Sequence, residues 1–142
     1  MGQARRQGGA YYEAPMPNMI DYNAIIVDGD PDALLIAASQ VGAAIKRVKN
    51  SQIRGIFFTV RQIQLNWPAN RQRAYRDAVL LRPRIGYAAE RNDLAGLDEV
   101  LSDALAKVSD PDNAVAQRRF GHFVEFFEAI IAYHKMNGGR DK

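Results

Sequence analysis

Apolar residues recur along most of this chain at spacings of three and four, with no convincing stretch of strict alternation. Leu34, Leu35, Ala38, Val41, Gly42, Ile45 and Val48 trace one face of a helix from about 31 to 48, and Asp30-Pro31-Asp32 supplies its start. After Asn50, Ser51 is placed to cap a second helix with Ile53, Ile56, Phe57, Val60, Ile63 and Trp67 inward, closed by Pro68. A third begins near Ala69 and runs through Tyr75, Ala78, Val79 and Leu80 to Pro83, where the lost backbone donor predicts a kink or restart. Residues 84 to 91 continue with Ile85, Ala88 and Ala89 inward. Asn92-Asp93 reads as a stop and a new cap, followed by a helix from about 94 to 108 on Leu94, Leu97, Val100, Leu101, Leu105 and Val108. Asp110-Pro111 repeats the start signal, and the longest helix runs to about 136 through Phe120, Phe123, Val124, Phe127, Ile130, Ile131 and His134. Gly138-Gly139 offers the left-handed geometry that closes helices. This last helix is apolar round more than half its circumference, which makes it the centre of a bundle or a face for a second copy.

The pattern predicts an all-α fold, a compact bundle of five to six helices in a single domain over residues 25–138. Ahead of it, Gly2, Gly8, Gly9, Pro15 and Pro17 punctuate a stretch without helical period, so residues 1–24 are expected to form a flexible tail, and 139–142 a short C-terminal one. Ile25-Ile26-Val27 is too short to tell a strand from an extended segment packed on the helices.

Composition narrows the function classes. With 142 residues, 47% of them apolar, the chain has one domain's length and enough core to fold without staples. The absence of cysteine excludes a disulfide scaffold, a thiolate zinc finger, an iron–sulfur cluster and a thiol nucleophile. The longest apolar runs, such as Ala129-Ile130-Ile131-Ala132-Tyr133, fall far short of a membrane span. Gln7-Gly8-Gly9 follows Arg5-Arg6 where a secretory signal needs an apolar stretch, so a cytoplasmic location is expected.

Little here reads as catalysis. His122 and His134 lie twelve residues apart, without the spacing of a zinc helix; His122 and Glu125 could share a face, but no further ligand is indicated. His134 sits on the apolar stripe, as a hydrogen-bonded core or interface residue would. Glu125 and Glu128 have the spacing of paired carboxylates and equally that of ordinary exposed helix charges. Ser39, Ser51, Ser102 and Ser109 read as surface or cap residues, and no glycine-rich phosphate loop is present. No enzymatic activity, metal or cofactor is expected.

The charge distribution is more informative. Residues 46–91 hold eleven Lys or Arg against Asp77 and Glu90, a net of +9, while the segments before and after each come to −3. Arg54 and Arg61 are seven apart and so project within about 20° of one another on a helix; the same holds for Arg84 and Arg91, with Tyr87 between them. Arg82 and Arg84 flank Pro83, and Arg71, Arg73 and Arg76 crowd the start of the third helix. Two arginine rows on adjoining helices would make one wall of positive potential, suited to bidentate phosphate contact. Alternatively, they are solubilising faces of helices that point in different directions. Most Phe residues fall on inward faces, which gives base stacking a smaller part.

Three segments carry a family resemblance: Ser51-Gln52-Ile53-Arg54; Arg82-Pro83-Arg84-Ile85-Gly86-Tyr87-Ala88-Ala89-Glu90-Arg91; and Phe123 to Lys135, with Val27-Asp28-Gly29-Asp30, Leu34-Leu35 and Gly42 ahead of them. In this order and spacing they resemble the small helical subunit of the type III-A CRISPR interference complex, the Csm complex, over roughly residues 25–138. The resemblance implies a non-catalytic protein of an antiviral ribonucleoprotein, present in several copies stacked beside RNA-binding backbone subunits and helping to hold the guide RNA and the target RNA. Target cleavage would then belong to the backbone subunits, and DNA cleavage and cyclic oligoadenylate synthesis to the large subunit. The positions it points to are Arg54, Arg61, Arg84 and Arg91, then Arg47, Arg82 and Lys135. Gly86 departs from the pattern, since a better helix former would be expected before Tyr87, and Arg71, Arg73 and Arg76 match no family motif. Two other readings stand beside it: a helical protein-interaction module without nucleic-acid contact, and a DNA-binding regulator with a helix-turn-helix around Asn50-Ser51.

Overall fold

The fold was taken from a computed structural model, which describes residues 14–139. Among these there is no strand; the elements are a π-helical turn at Asn23–Val27 and five α-helices, α1 (Pro31–Ala44), α2 (Asn50–Asn66), α3 (Arg71–Arg91), α4 (Leu97–Leu105) and α5 (Asn113–Met136). The all-α bundle expected from periodicity is the one observed. Residues 1–13 and 140–142 of the expected tails lie outside the described residues. Within residues 14–24, Met16, Ile20 and Tyr22 pack half-buried against the core.

α5 is the central helix and touches every other helix and the π-turn. Phe120, Phe123, Phe126, Phe127 and Ile130 are wholly buried along it. An aromatic chain runs down this core from Trp67 to Phe120 (5.3 Å between ring centroids), Phe123 (5.7 Å) and Phe127 (6.2 Å), with Phe57 of α2 edge-on to Phe127 at 5.2 Å. α1 lies closest to α5, at Gly42. The two histidines fasten other segments to α5: His122 Nδ1 donates to the Ile26 carbonyl (2.7 Å), and buried His134 donates from Nε2 to that of Val48 (2.8 Å). Asn113 joins three helices at the opposite end, accepting from Trp67 Nε1 (2.8 Å) and donating to the Arg71 carbonyl (3.0 Å).

Where the helices begin and end follows local chemistry. Asp30 caps α1, accepting from the amides of Asp32 (2.9 Å) and Ala33 (3.4 Å), with Pro31 behind it where no donor is needed. The Schellman closure of α5 uses Gly138 at φ +78°, with Gly139 N–H bonded to His134 O (2.8 Å) and Gly138 N–H to Lys135 O (3.0 Å).

Five expectations shift. Ile25-Ile26-Val27 is neither strand nor extended: a helical turn closed by Asp28 N–H on Asn23 O (3.0 Å) buries adjacent Ile25 and Ile26 together, which a strand covered on one face only cannot do. Ser51 does not cap α2, whose first residue is Asn50 and whose cap position, Lys49, supplies no side-chain bond. α3 neither restarts nor ends at Pro83; the carbonyl left without a donor belongs to Val79, which is 43% exposed and can turn to water. Val79 and Leu80 accordingly face outward, and Ala74, Ala78, Leu81 and Ile85 form the buried face. α4 begins at Leu97 rather than near 94 because Ala95 (φ +58°) and Gly96 (φ +92°) are both left-handed, the turn being held by Asp93 Oδ1 on Ala95 N–H (2.9 Å).

Candidate nucleic-acid interface

α2 and α3 pack antiparallel, so the start of α2 meets the end of α3, and the furrow between them is open along its length. Its middle is a groove of about 370 Å3 walled by Gln52, Gly55 and Thr59 of α2 and by Leu81, Arg84 and Ala88 of α3. Gly55 keeps the α2 wall low, since a methyl group there would meet nothing within 4 Å. At its upper end the groove passes Gln52 into a second hollow lined by Arg47, Lys49, Arg91, Asn92 and Asp93. Lys49 holds the cap position of α2 without a side-chain bond to its first turn, and lines this hollow, so the positive end of the helix dipole lies beside it. A helix start without a side-chain cap, set among Lys49 and Arg91, is chemically suited to an oxyanion such as a phosphate.

One acidic group moderates this end. Asp93 accepts from Arg47 Nη2 (2.8 Å) and Nε (3.3 Å) and from the amide of Ala95 (2.9 Å). The Arg47 hydrogen bond, more than the Ala95 amide, holds the Asp93 carboxyl below its ordinary range. The pair is therefore fully formed at neutral pH and cancels much of the Arg47 charge.

The residues expected from sequence divide by location. Arg47, Arg84 and Arg91 border the α2–α3 furrow. Arg54 and Arg61 do not; they stand roughly 100° or more round α2 from Gly55, Ile56 and Thr59, on its outward face. There the spacing of Arg54, Phe58, Arg61 and Leu65 puts all four side chains on one stripe, with Phe58 64% and Leu65 61% exposed. Arg61 hydrogen-bonds Gln64 on its own helix. Arg82 turns the other way, to α4, where its Nε donates to Ser102 Oγ (3.0 Å). Lys135 lies in the last turn of α5, at the Arg47 end of the molecule but outside the furrow. Arg73 pairs with Asp77 (3.7 Å) at the far end of α3, about 27 Å from Arg91 along the helix.

Lys49, Gln52 and Thr59 were not singled out by sequence reasoning. The basic run Lys46-Arg47-Val48-Lys49 immediately before a helix start was the available signal for the first. Nothing in the sequence marks the other two, whose place follows from how α2 sits on α3. Glu125 and Glu128 are exposed, His122 is engaged with Ile26, and among the described residues no three His, Asp or Glu side chains converge as a metal site would require. No described helix is long and apolar enough to cross a membrane.

Comparison with known proteins gives one match. The profile of the Csm2 Type III-A family covers residues 28–140 of the 142. No curated protein and no solved structure matches the chain. The match begins just before α1 and ends just past α5, so it takes in every helix on which the furrow is built. The chain belongs to the Csm2 family, and is a small subunit of the type III-A CRISPR complex.

Proposed function

We propose that this subunit is a structural, non-catalytic component that contacts the RNA backbone of its complex through the α2–α3 furrow. Lys49, Arg84 and Arg91, with the uncapped start of α2, grip phosphates; Arg47, held by Asp93, sits at the upper end. Guide RNA and target RNA are the polyanions such a complex contains, and phosphate contact is indifferent to base sequence, as a subunit serving any guide requires. Copies of the chain stack beside the backbone and large subunits in the cytoplasm, and repetition raises avidity above that of one furrow. The observation that carries the reading is the furrow itself: Arg84 and Arg91 of α3, Arg47 and Lys49 from the segment before α2, and a helix start without a side-chain cap line the same furrow.

The test is a salt titration of single-stranded RNA binding with the native chain and a variant carrying Lys49→Ala, Arg84→Ala and Arg91→Ala. Each phosphate contact contributes about 0.7 to the slope of log affinity against log salt, so the variant slope should be shallower by about 2. Equal affinity and equal slope would refute the proposal.

A second reading is favoured by Phe58 and Leu65 standing exposed on the same stripe as Arg54 and Arg61. It gives the outer face of α2 to a neighbouring protein subunit. Crosslinks from that face to protein, and not to RNA, would support it.

A further inference from the structure

The aromatic residues are mostly internal, but Tyr87 is not: it is 65% exposed, on the outward side of α3 beside the furrow. Its neighbours on that helix have a consistent polarity. Arg84 lies one turn before it and Arg91 one turn after, with the two guanidinium-bearing positions about 10.5 Å apart along the axis. Both are turned from Tyr87 toward the furrow, by roughly 40–60°. Glu90 lies roughly 60° to the opposite side and is exposed. A polyanion crossing this surface is thus drawn to the furrow side of Tyr87 and repelled from the other. The Arg91 guanidinium stands over the Tyr87 ring, 6.0 Å from its centroid, which steadies the ring and leaves its other face available. Gly86 presents no side chain beside it, and a methyl there would meet nothing within 4 Å.

We propose that Tyr87 is a stacking platform for an unpaired RNA base, with Arg84 and Arg91 on the phosphates to either side. This rests on the reading of the furrow as a backbone contact and adds to it a contact with the base. The occupant is single-stranded RNA rather than a protein segment because the positions flanking the ring on the furrow side are cationic, and an aromatic face between phosphate-binding groups meets a nucleotide's two chemical parts together. Any base has a stacking face, so the contact is compatible with unrestricted sequence.

The experiment measures binding of a fluorescein-labelled RNA oligonucleotide, and of the same backbone with abasic residues, to the full chain and to Tyr87→Leu, Tyr87→Phe and Arg84→Ala/Arg91→Ala. Tyr87→Leu should bind the base-bearing strand about 5-fold to 100-fold more weakly, with an unchanged salt slope. It should bind the abasic strand as the native chain does, and Tyr87→Phe should stay close to native on both. Because Tyr87 is exposed, thermal unfolding of these variants should match the native chain, which separates lost stacking from lost structure. If Tyr87→Leu binds the base-bearing strand normally while the double arginine variant is weakened, stacking is overturned and the furrow reading stands. If neither is weakened, both fall. If Tyr87→Leu leaves RNA affinity intact but impairs association with the other subunits, the face is a protein contact and the stacking proposal is wrong.

Discussion

A methyl group added at Gly42 would stand 2.6 Å from Tyr133 Cβ and 2.9 Å from the backbone nitrogen of His134. Neither can swing away as a long side-chain tip could, so α1 and α5 would have to separate. Alanine is the better helix former by about 1 kcal/mol, but overpacking against backbone costs about 1–3 kcal/mol and should win. Gly42→Ala should lower the urea midpoint without changing the slope of the transition; an unchanged or raised midpoint would mean that the helices do not approach so closely. Tyr22 offers a second residue-scale test. Burial, then the nearby Asp103 and Glu99 charges, push its phenol up to about 12 from 10.0. A raised folded-state value favours the neutral form, so the stability it contributes is complete below pH 10 and lost as the pH rises toward 12. Tyr22→Phe should flatten the fall in stability across that alkaline window. Parallel falls in the two proteins would contradict the burial of Tyr22.

Within the elements, charge is set as much by pairing as by sequence. Arg47 and Asp93 link the start of α2 to the turn after α3, and both are exposed, so the pair adds little stability. Its larger effect is on the furrow, where Asp93 offsets a cation. Asp93→Asn should tighten RNA binding and steepen its salt slope by about 0.7, measured in the same titration; weaker binding would show that Asp93 positions Arg47 for RNA rather than masking it. Much of this level was legible beforehand. Asp30-Pro31 and Gly138-Gly139 mark their helix ends because their geometry is local to the motif. The start of α4 was not legible, since Ala95 adopts a left-handed conformation that nothing about alanine announces. The run Ala78-Val79-Leu80-Leu81 misleads for another reason: adjacent apolar residues cannot all face the core, and Ala78 and Leu81, rather than Val79 and Leu80, meet the neighbouring helices.

At the scale of the molecule, the basic central segment becomes α2 and α3, and folding these two helices side by side turns a charge block into a furrow with cations at its rim. The sequence showed that Arg84 and Arg91 share a face, as do Arg54 and Arg61, but not how one row is rotated relative to the other; that depends on which sides of α2 and α3 are buried. The result is two cationic surfaces, one beside α3 and one outward on α2 bearing Phe58 and Leu65. A small subunit with two such surfaces can meet RNA with one and a protein neighbour with the other. Mapping RNA crosslinks by mass spectrometry in the assembled type III-A complex with target bound addresses this most directly. Crosslinked peptides should contain residues 47–52 and 84–91; RNA crosslinks confined to other parts of the chain, or none at all, would contradict the furrow as the RNA contact.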